Sequence, residues 1–285
     1  MARQDWVGYV NRATGAGLVF VDEANRGETA GAVFVRWPDG RPAVLTRSTV
    51  DAARSRQTAG VLAVARAAGV AVPRLDRVVE LADGVVVVVQ ERMPGEPPEV
   101  VDDRVLDAVV AVNERFAELV AARSDIPVAP ADAAPDAGWA EAVGQYSPRS
   151  RRLLRRIKPL TGGRANGGGD LVHPDLTTPN VLFDADGSLS GVVDWNGGAF
   201  RGDRHGALVK LLFDSTWDAA CPGGTDRVRP GALDRLEAHL RETVDTDRLR
   251  RHWAWWSLTM LDWTIRSRDP LGIDVHLALG EREFG

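Results

Sequence analysis

The chain is poor in cysteine, histidine and tyrosine, and it has no long apolar run. Cys221 is the single cysteine among 285 residues. No internal disulfide can form, and this usage fits a reducing compartment. A lone cysteine followed by Pro222 and two glycines, with no partner histidine, reads as a loop residue and not a nucleophile. Of five histidines, His205 and His252 lack metal-ligand spacing and are expected to be structural. Apolar runs such as Val85 to Val89 are far too short to span a bilayer. The opening residues MARQDWVGYV lack the apolar core of a signal peptide. A soluble, cytoplasmic protein with no membrane partner is therefore expected. Positive charge is not in excess either. The net charge is -5 and the pI about 5.6, so no global field recruits nucleic acid. The local basic cluster Arg149 to Lys158 is expected to be the solvated face of a helix.

Hydrophobic residues make up 44% of the chain, enough for one large domain or two lobes. The first hundred residues read as strands with one helix. GLVFVDEA is a strand candidate, NRGETAG a turn-rich loop, and AVFVRW an alternating strand ending at the hairpin signal Pro38-Asp39-Gly40. PAVLTRS returns. Ser48 or Thr49 is expected to cap a helix from about Val50 to Ala68, ended by Gly69. LDRVVELA and VVVVVQE, joined by Asp83-Gly84, complete a meander of about five strands. Met93 to Pro98 can neither extend a strand nor start a helix, so it reads as a connector. Val105, Val109, Val112, Phe116 and Leu119 then recur at helical spacing and predict a helix over 103–122. A loop covers 125–137, a helix lies near 148–158, and a glycine-rich loop spans 161–169. Short strands at 171–173, 181–187 and 189–195 precede a mostly helical region, 205–268.

The chemistry lies in His173-Pro174-Asp175-Leu176-Thr177-Thr178-Pro179-Asn180, of the form H-x-D-x-x-x-x-N. Fourteen residues further on, Asp194 ends the apolar strand Gly191-Val192-Val193. Phosphoryl transfer asks for a carboxylate to orient the attacking hydroxyl and for oxygen ligands that hold a metal against the phosphates. Magnesium prefers carboxylate and amide oxygens. The turn Asp186-Gly187 is expected to fold Asp194 back toward Asn180. This segment resembles the aminoglycoside phosphotransferase (choline kinase-like) family, whose pattern is H-G-D-x-x-x-x-N, a strand, and a metal-binding aspartate before an aromatic residue.

That resemblance covers nearly the whole chain. It implies an α+β, two-lobed protein-kinase-like fold, with a small antiparallel-sheet lobe over 1–93 and a larger, mainly helical lobe over 94–285. It implies ATP and Mg²⁺ as cofactors. Asp175 would be the catalytic or hydroxyl-orienting acid, braced by His173, and Asn180 and Asp194 the metal ligands. Gly27, Thr29 and Gly31 would lie in the loop over the phosphates. At the hinge, the Glu91 carbonyl and Met93 N–H would meet adenine. Gly202-Asp203 resembles the family's Gly-Asp-Pro turn.

Three departures stand out. The third strand of the small lobe should end Val-Leu-Lys, with the lysine on the phosphates, but here it reads Val44-Leu45-Thr46. The next helix should supply a glutamate to that lysine, and the matching region holds Gln57 and Thr58. Losing one partner would leave an uncompensated charge in a partly buried cleft. Losing both leaves a neutral, hydrogen-bonding pair, which points to an adapted site. Arg26, Arg36 and Arg47 are candidates for a relocated cation, although Arg47 should point to the opposite strand face. Pro174 replaces the motif's glycine, and Ala207 replaces a second aspartate in the later turn.

The expected function is phosphorylation of a small-molecule hydroxyl. The alternatives are a kinase of a Ser or Thr in a peptide precursor, and a pseudokinase-like binder without transfer. Trp253, Trp255, Trp256 and Trp263 are expected to be mostly core, with one indole left to stack on an acceptor. Asp214, Asp218 and Asp262 are read as surface acids that could also meet a cationic substrate. The protein is expected to act as a monomer or homodimer.

Overall fold

The computed structural model describes residues 3–23, 31–81, 83–133, 138–161 and 168–285. In chain order the elements are α1 (Arg3–Thr14), β1 (Val19–Glu23), β2 (Ala32–Arg36), β3 (Pro42–Arg47), α2 (Ala52–Ala67), β4 (Leu75–Glu80), β5 (Val86–Glu91), α3 (Asp103–Glu114), α4 (Glu141–Tyr146), α5 (Pro148–Ile157), β6 (Asp170–Val172), β7 (Val181–Phe183), β8 (Leu189–Val192), β9 (Phe200–Gly202), α6 (His205–Ala220), α7 (Gly224–Arg227), α8 (Pro230–Thr243), α9 (Thr246–Ser267) and α10 (Pro270–Phe284). They form two compact units. One is Met1–Pro97 with Pro179–Ala199, the other Pro98–Thr178 with Phe200–Gly285.

The first unit holds a five-stranded antiparallel sheet in the order β1-β2-β3-β5-β4. The expected meander is thus corrected: α2 carries the chain past one strand position, and β5 returns between β3 and β4. Burial explains the order. Val86 to Gln90 are all buried, so β5 must be central, whereas β4 exposes Arg77 and Glu80 and can be an edge. Side chains alternate in β2 and β3. Val33, Val35, Ala43 and Leu45 join Val87 and Val89 in one core face. Trp6, Val7 and Val10 of α1 complete that core. The expectation of a single helix in this region missed α1, although its apolar residues recur at helical spacing.

The cap of α2 is also corrected. Asp51, not Ser48 or Thr49, is the N-cap, and its carboxylate accepts from the Arg54 N–H at 2.7 Å. Ser48 Oγ and the Thr49 N–H both donate to the Asn196 carbonyl. β7 and β8 pair antiparallel around the Asp186-Gly187 turn. Glu96 and Phe183 exchange backbone hydrogen bonds, tying the connector to this hairpin.

The second unit is mainly helical, with β6 and β9 as a short antiparallel pair. α3 stops at Glu114, not at 122. Beyond it the chain turns, Glu118 takes a φ of 55°, and its N–H donates to Asp170 Oδ1 instead of continuing the helix. α5 opens with a capping box between Ser147 and Ser150. It buries Leu153 and Ile157 while Arg149 reaches Glu281 from its outer face. Helix continues past 268 into α10, which starts at Pro270. Trp253 and Trp255 of α9 are buried, and Trp263 is 44% exposed. Cys221 is the C-cap of α6. Among the described residues no helix is long and apolar enough to cross a membrane.

Candidate active site

In the second unit, β6 delivers His173, which is 1% exposed, and the chain turns at once into Pro174 and Asp175. The Asp175 N–H donates to His173 Nδ1 at 2.9 Å, so the imidazole braces the backbone beneath the acid. The Asp175 side chain is 48% exposed, open enough to meet a ligand. Its Oδ1 lies 2.7 Å from Lys210 Nζ on α6. Lys210 also pairs with Asp214, one helical turn further on, and stands 5.6 Å from the centre of the Trp256 ring. Burial opposes the charge on Lys210, but the Asp214 and Asp175 carboxylates outweigh it and hold the ammonium above its ordinary range. Burial pushes the Asp214 carboxyl up to about 6 despite Lys210. The Asp214 side chain is only 15% exposed, which corrects its reading as a surface acid. Asp262 pairs with Arg266.

Below this cluster, Asp203 organises the unit. Its carboxylate meets the His205 and His252 rings at 2.7 and 2.9 Å. Burial opposes the charge, yet these two hydrogen bonds hold the carboxyl well below the ordinary range. Both histidines are structural, as their spacing suggested.

In the first unit, Asn180 closes one 3-10 turn and is buried. Its carbonyl accepts from the Val193 N–H at 2.8 Å. The hairpin thus brings the residue before Asp194 onto Asn180. Asp194 has a φ of 62°, a left-handed conformation that aspartate tolerates better than most residues and that clusters at functional sites. Trp195 anchors the turn, since its indole N–H donates to the Val192 carbonyl at 2.9 Å. Asn196 then does what the sequence reading missed. Its Nδ2 donates to Asp194 Oδ1 at 2.6 Å, and its Oδ1 accepts from Thr46 Oγ1 at 2.8 Å. The residue standing where a lysine was expected is hydrogen-bonded through Asn196 to Asp194.

The partner of Thr46 is therefore neither Gln57 nor Thr58. Gln57 accepts from Arg54, and Thr58 accepts from the Ala199 N–H. Arg54 itself donates to the Ala199 carbonyl. Arg36 donates to the Gly40 carbonyl in the β2–β3 turn, and Arg47 is exposed. Arg26, Gly27 and Thr29 lie outside the described residues. Gly31 has a φ of 61° and leads into β2. Glu91 ends β5, and its carboxylate meets Arg66 and the Arg74 N–H. The Met93 side chain packs on Gly191, while its N–H finds no acceptor among the described residues.

Residues 22–251 match the model of the phosphotransferase enzyme family that includes the aminoglycoside phosphotransferases. The chain belongs to this family. No curated protein sequence matches it at a significant level. Among solved structures it is similar to a thermostable mutant of aminoglycoside phosphotransferase APH(4)-Ia in ternary complex with ADP and hygromycin B, at 16% identity over 97% of each chain and a TM-score of 0.65. It is similar to aminoglycoside phosphotransferase APH(3'')-Id from Streptomyces rimosus, at 20% identity over 91% of this chain and 99% of that one, with a TM-score of 0.55. It is also similar to macrolide 2'-phosphotransferase MphH from Brachybacterium faecium, at 17% identity over 97% of each chain and a TM-score of 0.51. At these identities the likeness establishes the fold, which is the two-lobed, protein-kinase-like α+β fold expected.

For a phosphotransferase, the two sets of residues suit different tasks. Asn180 and Asp194 offer amide and carboxylate oxygens. Among the described residues no three His, Cys, Asp or Glu side chains gather to hold a metal by themselves. The amide and carboxylate oxygens of Asn180 and Asp194 are donors that suit magnesium, which takes one or two protein carboxylates and keeps water and phosphate oxygens for the rest. The Met93 N–H, without an acceptor among the described residues, is open to a ligand. Lys210 was not found from sequence, because it lies 35 residues beyond Asp175 and only the packing of α6 brings them together.

Proposed function

We propose that this phosphotransferase transfers the γ-phosphoryl group of ATP to a hydroxyl of a small molecule of the antibiotic or metabolite kind. The observation that carries the reading is Asp175, a half-exposed carboxylate held from behind by His173 and from the side by Lys210. An orienting acid needs this combination of access and fixed aim. Asp175 accepts the proton of the attacking hydroxyl. Asn180 and Asp194 hold magnesium, which when bound supplies charge neutralisation at the phosphates. Glu91 and Met93 receive the adenine, and Gly27, Thr29 and Gly31 cover the phosphates. The relatives' complexes with ADP and hygromycin B support a nucleotide and a hydroxyl-bearing antibiotic as the ligand classes.

The test is ADP release from ATP and magnesium in the presence of hygromycin B, macrolides and a panel of other hydroxyl compounds. At least one acceptor is expected to stimulate release. Asp175→Ala is expected to abolish it, a loss of about 100-fold or more, with AMP-PNP binding nearly intact. Unchanged turnover in that variant overturns the assignment. A second reading, a nucleotide or ligand binder without transfer, is favoured by Thr46 in place of the lysine. Nucleotide binding with no ADP release for any acceptor would select it.

A further inference from the structure

Lys210 calls for an explanation that the family pattern does not supply. Its side chain is 13% exposed, in a helix whose neighbours Val209 and Leu211 are fully buried. An ammonium so placed is costly unless paired. Asp214 alone would pair it, but the order is unfavourable for a helix, where the acid is better placed before the base. The pair therefore gives α6 little by itself. The second partner comes from elsewhere in the fold. Asp175 Oδ1, at 2.7 Å, belongs to the loop after β6. The Trp256 ring bounds the same ammonium on another side, at 5.6 Å. Trp256 is itself fixed, because its indole N–H donates to the Gly206 carbonyl at 2.7 Å.

The consequence is geometric. His173 fixes the Asp175 backbone, and an ammonium on Oδ1 fixes rotation of the carboxylate about its last bond. Together they determine where the other carboxylate oxygen points. We propose that Lys210 is the positioning residue of the transfer step, aiming Asp175 at the acceptor hydroxyl, and that Asp214 anchors Lys210. This rests on the phosphotransfer reading above. In the step, the acceptor oxygen bonds to the γ-phosphorus. The bond from that phosphorus to the β–γ bridging oxygen breaks, and ADP leaves with the electron pair. The hydroxyl proton passes to Asp175, and Lys210 keeps its own protons throughout.

Removing Lys210 alone leaves the largely covered Asp214 without its cation and threatens folding. Lys210→Met together with Asp214→Asn removes the pair without stranding either charge, Lys210→Arg keeps the cation, and Asp175→Asn removes its target. ADP release from ATP and magnesium is followed with water as the acceptor. The folded double variant is expected to lose about 100-fold in kcat, with KM for ATP changed by less than about threefold. Lys210→Arg is expected to retain most of the activity. Adding Asp175→Asn to the double variant is expected to cost nothing more, because both changes act through one carboxylate. Full turnover in a folded double variant, or losses that multiply when Asp175→Asn is added, overturns the proposal. If the wild-type protein releases no ADP under any condition, the phosphotransfer reading fails separately. The pairing is then decided by thermal unfolding of the same variants, where non-additive shifts sustain it and additive shifts overturn it.

Discussion

Thr46, Asn196 and Asp194 form a short line of hydrogen bonds where a charged pair was expected. A lysine there would bring its own charge to the phosphates. Thr46 brings none, and its hydroxyl is used to orient an amide that in turn holds one oxygen of Asp194. Partners behind a metal ligand fix its orientation, and removing one costs about 10- to 100-fold in metal affinity. Asn196→Ala is therefore expected to weaken Mn²⁺ binding about tenfold in the presence of AMP-PNP, read by the paramagnetic relaxation of water. An unchanged affinity would mean that the backbone alone aims Asp194. The motif residues His173, Asp175, Asn180 and Asp194 were legible as candidates because the motif is written in fixed spacing. Asn196 and Lys210 were not, because an asparagine in a turn and a lysine in a helix carry no signal until their neighbours are known.

Between residue and molecule, α2 carries Gln57 and Thr58, where the family pattern has a glutamate. Its first turn is held by Asp51, and its inner face meets the loop after Asp194 through Arg54 and Thr58. Asp51→Ala is expected to cost about 1 kcal/mol of stability, measured by urea unfolding. A cap at Ser48 or Thr49 would instead leave stability unchanged. Sequence signals identified α2 itself but not which of three polar residues begins it, since Ser48, Thr49 and Asp51 can all cap. The choice fell to tertiary contacts, which engage Ser48 and Thr49 with the Asn196 carbonyl. In the same way, helical spacing ran on through Phe116 and Leu119, but the Glu118 N–H finds Asp170 and α3 ends early.

At the scale of the whole molecule, stability should depend on pH through His276. Its ring is fully buried among Phe213 and Trp217, and neither nitrogen has a hydrogen-bond partner among the described residues. Burial lowers its pKa from 6.5 to about 4, although Asp269 pulls the other way. The unfolded chain binds the proton first, so this stabilisation is complete above about pH 6.5 and is lost as the pH falls toward 4. The full effect is roughly 3 kcal/mol. Urea unfolding between pH 7.5 and 5 should show about 2 kcal/mol of that loss in the wild-type protein and a flatter profile in His276→Leu. Equal profiles would show that His276 does not carry the acid limb. Such a group is invisible in sequence, where a histidine on a helix has no stated surroundings. The family, the alternating strands of the sheet and the acid, amide and acid proposed for catalysis could be read from the sequence, because periodicity and spacing are local and survive without a partner. Long-range packing was needed to place β5 inside the sheet, to close its core with α1, to pair Thr46 with Asn196 and to bring Lys210 to Asp175. Each of these is a contact between residues far apart in the chain, and no local pattern specifies which distant side chain will fill the space.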